Sequence, residues 1–318
     1  MAERAEPTLQ QVGEFAVIER LVARRSWPAG VSVGPGDDAA VVDAPDGRVV
    51  VSTDMLVEGR HFRLDWSSAH DVGRKAIAQN AADIEAMGAR PTAFVVALGA
   101  PATTSAAQVA ELGAGLWAEA DLFGAGIVGG DLVASDQWVI SVAALGDLGG
   151  RPAVLRGGAR AGAVIAVAGD LGRSAAGYAL WSNGIDAFDD LRSRHLVPQP
   201  PYGQGRAAAE AGAQAMTDVS DGLLADLGHI AEASGVTLDL HREALRTDID
   251  AVTAAADAAG ADPWALVLAG GEDHALVGCF PDSPPPGWRV VGTVRAGVGV
   301  VLIDGAPWSG PAGWQSFD

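Results

Sequence analysis

Several residue types and patterns are scarce in this 318-residue chain, and each shortage excludes a class of protein. The single cysteine, Cys279, cannot form a disulfide within the chain, and its position in an apolar run predicts a buried, inert thiol. No stretch approaches the roughly 18 consecutive apolar residues of a membrane span. The start, MAERAEPTLQ, has neither the basic nor the apolar region of a signal peptide. These shortages predict a cytoplasmic protein that neither spans nor binds a membrane.

Lysine is equally rare, because Lys75 is the only one in the chain. A Walker A loop needs a lysine followed by serine or threonine, whereas Ala76 follows Lys75, and the P-loop class is therefore excluded. The GxGxxG string over 124–129 follows a predicted helix and precedes a predicted strand, which is the reverse of a dinucleotide-binding fingerprint. HExxH and GxSxG are absent, and the six histidines lack zinc-ligand spacing. Any metal is therefore expected to be bound by oxygen atoms.

Positive charge is also in short supply, since the formal net charge is −19. Such a field repels polyanions, so nucleic acid is not an expected partner. Most of the carboxylates are expected on a solvated surface. Several aspartates, however, stand beside glycines or at the ends of apolar segments, where elements meet loops and ligands commonly bind.

Hydrophobic periodicity and length predict two domains, an α+β half followed by an α/β half. The predicted elements of the first half are a helix over 13–25, the strands AAVVDA and VVVST joined as a hairpin, a helix over 68–88, the strand TAFVVALGA, a helix over 105–122, and the strands GIV and QWVISVAAL around a GGD turn. The glycine- and arginine-rich segment 146–162 marks the boundary, which predicts domains 1–148 and 149–318. The second half is predicted to contain the strand AVIAVAG, a helix from Ser174, a strand-to-helix junction at Ser220 and Asp221, the strand VTLDL, a helix over 248–259, and the strands RVVGTV and GVVLI.

Aspartates recur at five separate turns or element ends. They are Asp37 and Asp38 after two glycines, Asp54 at the end of a predicted strand, Asp83 three residues after Asn80 on a helix, Asp131 in the GGD turn, and Asp218 with Asp221 around a helix start. Singly, each also fits an ordinary turn, a strand end or, at Ser220, a helix N-cap. Magnesium prefers hard oxygen ligands and keeps several waters, so carboxylates from several loops and a substrate phosphate would complete its octahedron. Together the aspartates predict a magnesium-dependent site that handles phosphates.

Short motifs in a fixed order and spacing run through most of the chain. They are GEF near the start, GDDAAVV, STDMLVEGRHF, KAIAQNAADIEAMGARP, GGDL, the arginine of VLRGGA, RHLVPQP, DVSDGLLADLGHI, LAGGED and a tryptophan close to the end. In these motifs the sequence resembles the thiamine-monophosphate kinases, of the aminoimidazole ribonucleotide synthetase-like superfamily. The resemblance implies an N-terminal domain that binds ATP and magnesium and forms a homodimer through its sheet. It also implies a C-terminal α/β domain that completes the active site.

Carried over position by position, the resemblance implies three sets of site residues. The magnesium ligands would be Asp38, Ser52, Thr53, Asp54, Asp83, Asp131, Asp218 and Asp221, with Asp54, Asp83, Asp131 and Asp218 also serving catalysis. ATP would be contacted by Gly130, Asp131, Arg156 and Ser220, and thiamine monophosphate by His61, Glu272 and Trp314. The family's adenine-contacting aromatic has no assigned counterpart, although Trp117 is a candidate.

Two departures from the family pattern bear on these residues. NAAD stands where the family commonly has NxSD, and GGEDHAL stands where it has GGEDYEL. His274 and Ala275 therefore change the surroundings of Glu272.

The implied reaction is direct in-line transfer of the γ-phosphoryl group of ATP to thiamine monophosphate, assisted by several Mg²⁺ ions. A phosphate monoester has its second pKa near about 6, so the acceptor is already ionised and no side chain has to deprotonate it. Within the same fold, alternatives are an ATP-dependent synthetase or a selenophosphate synthetase. The selenophosphate synthetase is disfavoured because no cysteine lies near the N-terminus. A hydrogenase-maturation protein of the same fold is disfavoured because it ends in a cysteine motif, which WQSFD lacks. A non-catalytic magnesium-nucleotide binding module is the alternative from another class.

Overall fold

The computed structural model describes residues 6–23, 25–35 and 39–314. The chain divides into two compact units, the first made of Met1–Ala81 and Pro91–Asp147 and the second of Ala82–Arg90 and Leu148–Asp318. Among the described residues, no helix combines the length and apolar character needed to cross a membrane.

The first part of the chain builds a mixed sheet with helices. Its elements are α1 (Leu9–Val12), α2 (Glu14–Val22), β1 (Val31–Val33), β2 (Val41–Val42), β3 (Val50–Val57), α3 (Ala69–Ala86), β4 (Arg90–Ala100), α4 (Ala106–Ala120), a 3-10 turn (Asp121–Phe123), β5 (Gly126–Ala134) and β6 (Val139–Asp147). Four strands form a sheet in the order β3-β6-β4-β5, in which β3 and β6 are antiparallel and β4 and β5 are parallel. A separate two-stranded antiparallel sheet contains β1 and β2.

Side-chain alternation gives the four-stranded sheet one covered and one open face. On β3, Leu56 is fully buried whereas Val51 is 67% and Met55 is 52% exposed. Helix α4 lies next to β5 and buries Val109 and Leu112. Its start is fixed by a capping box, in which the Ser105 hydroxyl accepts from the Gln108 N–H at 3.1 Å and the Gln108 amide oxygen accepts from the Ser105 N–H at 3.3 Å.

The second unit contains a larger sheet. The elements after β6 are β7 (Val164–Ala168), α5 (Arg173–Ser182), α6 (Asp189–Leu196), α7 (Gln204–Glu210), β8 (Ala215–Val219), α8 (Leu223–Ser234), β9 (Val236–Leu240), a 3-10 turn (Arg242–Leu245), α9 (Arg246–Ala259), α10 (Pro263–Ala269), β10 (Ala275–Phe280), β11 (Trp288–Ala296) and β12 (Val300–Ile303). The six strands lie in the order β12-β9-β11-β7-β10-β8. Every residue of β8, β9 and β10 is buried. Cys279 lies on β10 with no exposed surface, which confirms the prediction that its thiol is buried, and burial raises the pKa of this thiol to about 12.

The structure corrects four sequence-based predictions of local structure. AAVVDA and VVVST do not form a hairpin, because β2 pairs with β1 whereas β3 pairs with β6. Asp54 lies inside β3, which continues to Val57, rather than at its end. The GGD segment is part of strand β5 and not a turn, and Gly130 lets this strand run close beside β4 because a Cβ atom there would collide with the Val96 carbonyl oxygen. The N-cap of α8 is Gly222 and not Ser220.

Candidate active site

Asp54 is held on the covered face of the first unit's sheet by two neighbouring side chains of α3. The Gln79 amide donates to Asp54 Oδ2 at 3.2 Å, and the Asp54 N–H donates to Asn80 Oδ1 at 3.0 Å. Asn80 is fully buried, and its own amide nitrogen donates to the Ala76 carbonyl at 2.9 Å. The role of Asn80 is therefore to fix the backbone of β3 at Asp54, a contact that the sequence did not reveal.

Three other predicted residues lie on or just after the same strand. The Thr53 hydroxyl donates to the Val142 carbonyl at 2.8 Å, so its hydrogen is committed to β6 while its oxygen lone pairs can still accept or coordinate. Ser52 is half-buried on the face of Asp54. His61 Nδ1 accepts the Val57 N–H at 3.0 Å, which leaves Nε2 as the protonated nitrogen of the neutral ring.

Asp131 lies on edge strand β5, at the opposite edge of the sheet from Asp54 on β3. Asp131 is exposed and pairs in register with Ala97 of β4, whose neighbours along that strand, Val96 and Leu98, are buried. Its Oδ1 accepts the Leu132 N–H at 2.9 Å. The sheet of the first unit therefore does not by itself bring Asp54 and Asp131 together.

A largely apolar cavity of about 400 Å³ lies beside Asp131 within the first unit. It is lined by α2, α4, β4 and the segment 127–132, which includes Gly130. Trp117 of α4 contributes to the wall, and its ring lies 5.8 Å from that of Trp27. A volume of this size suits a small organic ring system.

In the second unit, two predicted acceptor residues are anchored to the junction between β8 and α8. The Glu272 N–H donates to the Ser220 carbonyl at 2.8 Å, and the Trp314 N–H donates to the Asp221 carbonyl at 2.9 Å. Glu272 adopts a left-handed conformation, with φ 63°, which is unusual for a residue other than glycine. The Ser220–Asp221 segment therefore carries Glu272 on one side and Trp314 on the other.

His274 lies among the acidic side chains of this unit. Its Nδ1 is 3.1 Å from Asp218 Oδ2, and both residues are buried. Burial lowers the pKa of His274, but its hydrogen bond to Asp218 and the charges of Asp218, Glu272 and Asp83 outweigh burial and raise it overall. Asp83, Asp218 and Glu272 thus share one neighbourhood.

Asp221 belongs to the same group. Burial and then the charge of Asp218 raise the pKa of Asp221, while Arg156 lowers it. Arg156 is therefore near enough to act on the carboxylates of the junction.

Asp226, a further buried carboxylate, was not recognised in the sequence. Its Oδ2 accepts the N–H groups of Asp221 and Gly222, both at 3.1 Å. Burial and the charges of Asp218 and Asp221 raise its pKa to about 7. The only sequence signal was a carboxylate in the first turn of α8, where acidic residues are common for other reasons.

Crowding of these carboxylates fits a divalent cation, because mutual repulsion is relieved by a bound positive charge. Within the described part of the chain, no group of three or more His, Cys, Asp or Glu side chains is arranged to hold a metal ion. A magnesium ion held at these carboxylates would therefore take its remaining ligands from phosphates and water.

The predicted site residues form two groups, one in each unit. The first unit holds Ser52, Thr53, Asp54, His61, Gly130 and Asp131, and the second holds Asp83, Arg156, Asp218, Ser220, Asp221, Glu272 and Trp314. Asp38 lies outside the described residues. The assignment of each residue to a particular ligand stays a prediction.

The two halves of the chain match the AIR synthase related proteins. The N-terminal domain model of this class matches residues 36–148, and the C-terminal domain model matches residues 160–304. A curated thiamine-monophosphate kinase of Mycobacterium tuberculosis (strain ATCC 25618 / H37Rv) is 70% identical over 311 residues, which cover 98% of this chain and 93% of that protein. The chain belongs to the thiamine-monophosphate kinase family.

Solved structures agree with this membership. The crystal structure of thiamine monophosphate kinase from Aquifex aeolicus has a TM-score of 0.76 at 28% identity, over 96% of this chain and 100% of that one. A structure of AaThiL complexed with AMPPCP and TMP also has a TM-score of 0.76, at 30% identity, over 98% of this chain and 100% of that one. The resemblance drawn from the sequence motifs and the fold of two mixed α/β domains are both confirmed.

Proposed function

We propose that this protein transfers the γ-phosphoryl group of ATP to the phosphate of thiamine monophosphate and forms thiamine diphosphate, with Mg²⁺ as the required metal. The family membership supports this activity, as does the likeness to a structure that holds AMPPCP, an ATP analogue, together with TMP. The observation that carries the proposal is the anchoring of Glu272 and Trp314 to the Ser220–Asp221 junction. It joins the proposed acceptor-binding residues to the proposed phosphate- and metal-binding residues.

The nucleotide base is proposed to occupy the 400 Å³ cavity of the first unit. Trp117 offers an aromatic surface in its wall, and the apolar helices α2 and α4 exclude water from a bound ring. Gly130 lines the same cavity, and its backbone is the proposed contact with a phosphate of ATP. Asp131 follows directly, so its carboxylate would stand beside the phosphates.

The metal is proposed to be held mainly by aspartate carboxylates. The residues concerned are Asp38, Asp54, Asp83, Asp131, Asp218 and Asp221, with Ser52 and Thr53 as weaker oxygen donors. Bound magnesium would reduce the repulsion between the two phosphate groups that have to meet. The hydrogen bonds to Asp54 from Gln79 and Asn80 fix one of these carboxylates in advance, and His274 fixes Asp218 in the same way.

The chemical step is proposed to be a direct in-line transfer that needs no general base, since the acceptor phosphate is already ionised near neutral pH. The contribution of the protein is then to hold the two anions in line and to place positive charge beside them. Arg156, which already acts electrostatically on Asp221, is suited to the second task.

The protein is further proposed to form a homodimer through the open face of the four-stranded sheet. Val51 and Met55, both on edge strand β3, are exposed there by 67% and 52%. Large apolar side chains exposed together in this way are typical of a protein interface. A second copy presents the same surface and so matches it in chemistry.

The decisive experiment is incubation of the pure protein with magnesium, ATP and thiamine monophosphate, followed by chromatographic detection of thiamine diphosphate. We expect formation of thiamine diphosphate and ADP in equal amounts, no product with excess EDTA, and recovery on adding back Mg²⁺. ATP bound without any turnover would identify a binding module instead. Turnover that requires another acceptor would identify a synthetase.

A further inference from the structure

The residue next to Glu272 is fixed to the start of helix α5. This helix begins after Gly172, which has a left-handed φ of 77° and offers no side-chain cap. Asp273 caps it instead, since its two carboxylate oxygens accept the N–H groups of Gly172 at 2.5 Å and Ser174 at 2.8 Å. The backbone that carries Glu272 is therefore held by α5.

The side chain of Glu272 is approached by His195 of helix α6. His195 Nδ1 lies 3.5 Å from Glu272 Oε2 and 3.2 Å from the Ser174 hydroxyl. His195 is only 7% exposed, whereas the Glu272 side chain keeps 32% of its surface exposed. The histidine is thus a buried support, and the glutamate is the group that a ligand can reach.

Packing holds the His195 ring in place. Tyr178 lies edge-on to it with 5.4 Å between the ring centres. Helices α5 and α6 approach closely at Gly177, where a Cβ atom would collide with the carbonyl oxygen of Leu191. A ring fixed on two sides restricts the positions that the Glu272 carboxylate can take.

One ring nitrogen serves both polar neighbours. With a hydrogen on Nδ1, that N–H faces both the Ser174 hydroxyl at 3.2 Å and the Glu272 carboxylate at 3.5 Å, and it is attracted by the charge of the carboxylate. The Ser174 hydroxyl oxygen then accepts a hydrogen bond from the His195 Nδ1–H, while the Ser174 backbone N–H donates to Asp273. Ser174 and His195, here called the bracket, therefore contact the Glu272–Asp273 dipeptide from two sides: His195 approaches the Glu272 side chain, and Ser174 binds the Asp273 carboxylate.

We propose that His195, supported by Ser174, is a positioning residue that aims the Glu272 carboxylate at the organic part of the acceptor. The thiamine moiety carries a cationic ring and an amino group, both of which a carboxylate recognises. His195 then sets the affinity for the acceptor and contributes little to the phosphoryl transfer itself. The proposal rests on the proposed function for the role of Glu272.

The test compares KM for thiamine monophosphate with kcat and with KM for ATP. His195→Phe keeps the ring packing but removes Nδ1, and losing this polar contact with a charged carboxylate should raise KM for the acceptor about tenfold. We expect kcat and KM for ATP to stay within about twofold of wild type. His195→Asn, whose amide nitrogen can reach the place of Nδ1, should recover most of the acceptor affinity. His241→Asn, at a histidine outside the bracket, is the matched control.

A double-mutant cycle with Glu272→Gln separates a positioning role from a structural one. If His195 acts through Glu272, His195→Phe has little further effect on KM for the acceptor in the Glu272→Gln background. Full additivity of the two substitutions, or an unchanged acceptor KM in His195→Phe, overturns the proposal. Should His195→Phe fail to fold, Ser174→Ala takes its place: a raised KM for the acceptor with unchanged kcat supports the proposal, and an unchanged KM for the acceptor overturns it. A wild-type protein without thiamine diphosphate formation refutes the proposed function itself, independently of these variants.

Discussion

The carbonyl oxygen of Val96 on β4 occupies the space that a Cβ atom of residue 130 would need on the neighbouring strand β5. Glycine is therefore required at this point by the sheet alone. Gly129, one residue earlier, has room, because an added Cβ would meet only the Val95 methyl groups at 3.9 and 4.0 Å.

Gly130→Ala should destabilise the first unit, since β4 and β5 would have to move apart. The expected loss is about 1–3 kcal/mol, typical of overpacking. Thermal unfolding of Gly130→Ala and Gly129→Ala checks this, with a clear drop in Tm for the first and a wild-type Tm for the second. Equal Tm values for the two variants would show that a Cβ atom at position 130 does not collide with the Val96 carbonyl oxygen.

Asp131→Asn should abolish thiamine diphosphate formation while leaving the fold intact. The side chain is exposed and makes only a local hydrogen bond to the Leu132 N–H, so an amide costs little stability. An amide, however, is a weaker ligand for magnesium than a carboxylate. Product formation and Tm are measured together, with the exposed Asp136→Asn as control. Wild-type activity in Asp131→Asn would remove this residue from the mechanism.

Asp273 gives the folded protein a pH dependence. Burial, partly offset by the N–H groups of Ser174 and Gly172, raises its pKa from 3.8 to about 7. The folded state then holds a proton that the unfolded state has lost, so this group favours folding below about pH 4 and loses that contribution as the pH rises to about 7. The size is about 4 kcal/mol at most.

Asp273→Asn removes this titration and also places an amide nitrogen against an N–H group of α5. The variant should be less stable than wild type, and the Tm difference should shrink as the pH rises from about 5 to about 8. Unfolding curves of both proteins across this range provide the check. A Tm difference between the two proteins that widens with pH would show that folding does not raise the pKa of Asp273.

Cys279 should not react with thiol reagents while the protein is folded. It has no exposed surface, and a thiol with a pKa of about 12 has almost no thiolate at neutral pH. We expect no labelling by a disulfide reagent at pH 8 in buffer and one equivalent in denaturant. Rapid labelling of the folded protein would show that β10 opens.

Met55→Asp should convert the proposed dimer into a monomer, because it places a charge within the open apolar face of the sheet. The control is Val298→Asp, at a side chain that is 86% exposed in the second unit. Sedimentation or light scattering gives the mass of each. A Met55→Asp protein that keeps the dimer mass would move the interface elsewhere.

Sequence periodicity located the long helices and the apolar strands well. The helices predicted over 105–122 and 248–259 correspond to Ala106–Ala120 and Arg246–Ala259. Strand pairing was predicted less well, because which strands pair depends on partners far along the chain. The predicted hairpin was wrong for this reason, since β3 pairs with β6, a strand some ninety residues later, as in the Thr53–Val142 hydrogen bond across 89 positions.

For the site, the motifs supplied the candidate residues but not the side chains that support them. Gln79 and Asn80 contact Asp54 across 25 and 26 positions, and His274 contacts Asp218 across 56. Nothing in the local sequence distinguishes such a support from an ordinary polar residue. Long-range contacts of this kind become visible only in the folded chain.

Helices α5 and α7 share an arrangement that bears on how the chain folds. Both start after a left-handed glycine, and both receive their caps from distant carboxylates, Asp273 for α5 and Glu85 for the N–H groups of Gly203 and Gly205. Neither helix can complete its first turn until chain that is about a hundred residues away has arrived. Their formation therefore belongs to the late, cooperative stage of folding, and their amide hydrogens should exchange with solvent only when the surrounding unit opens as a whole.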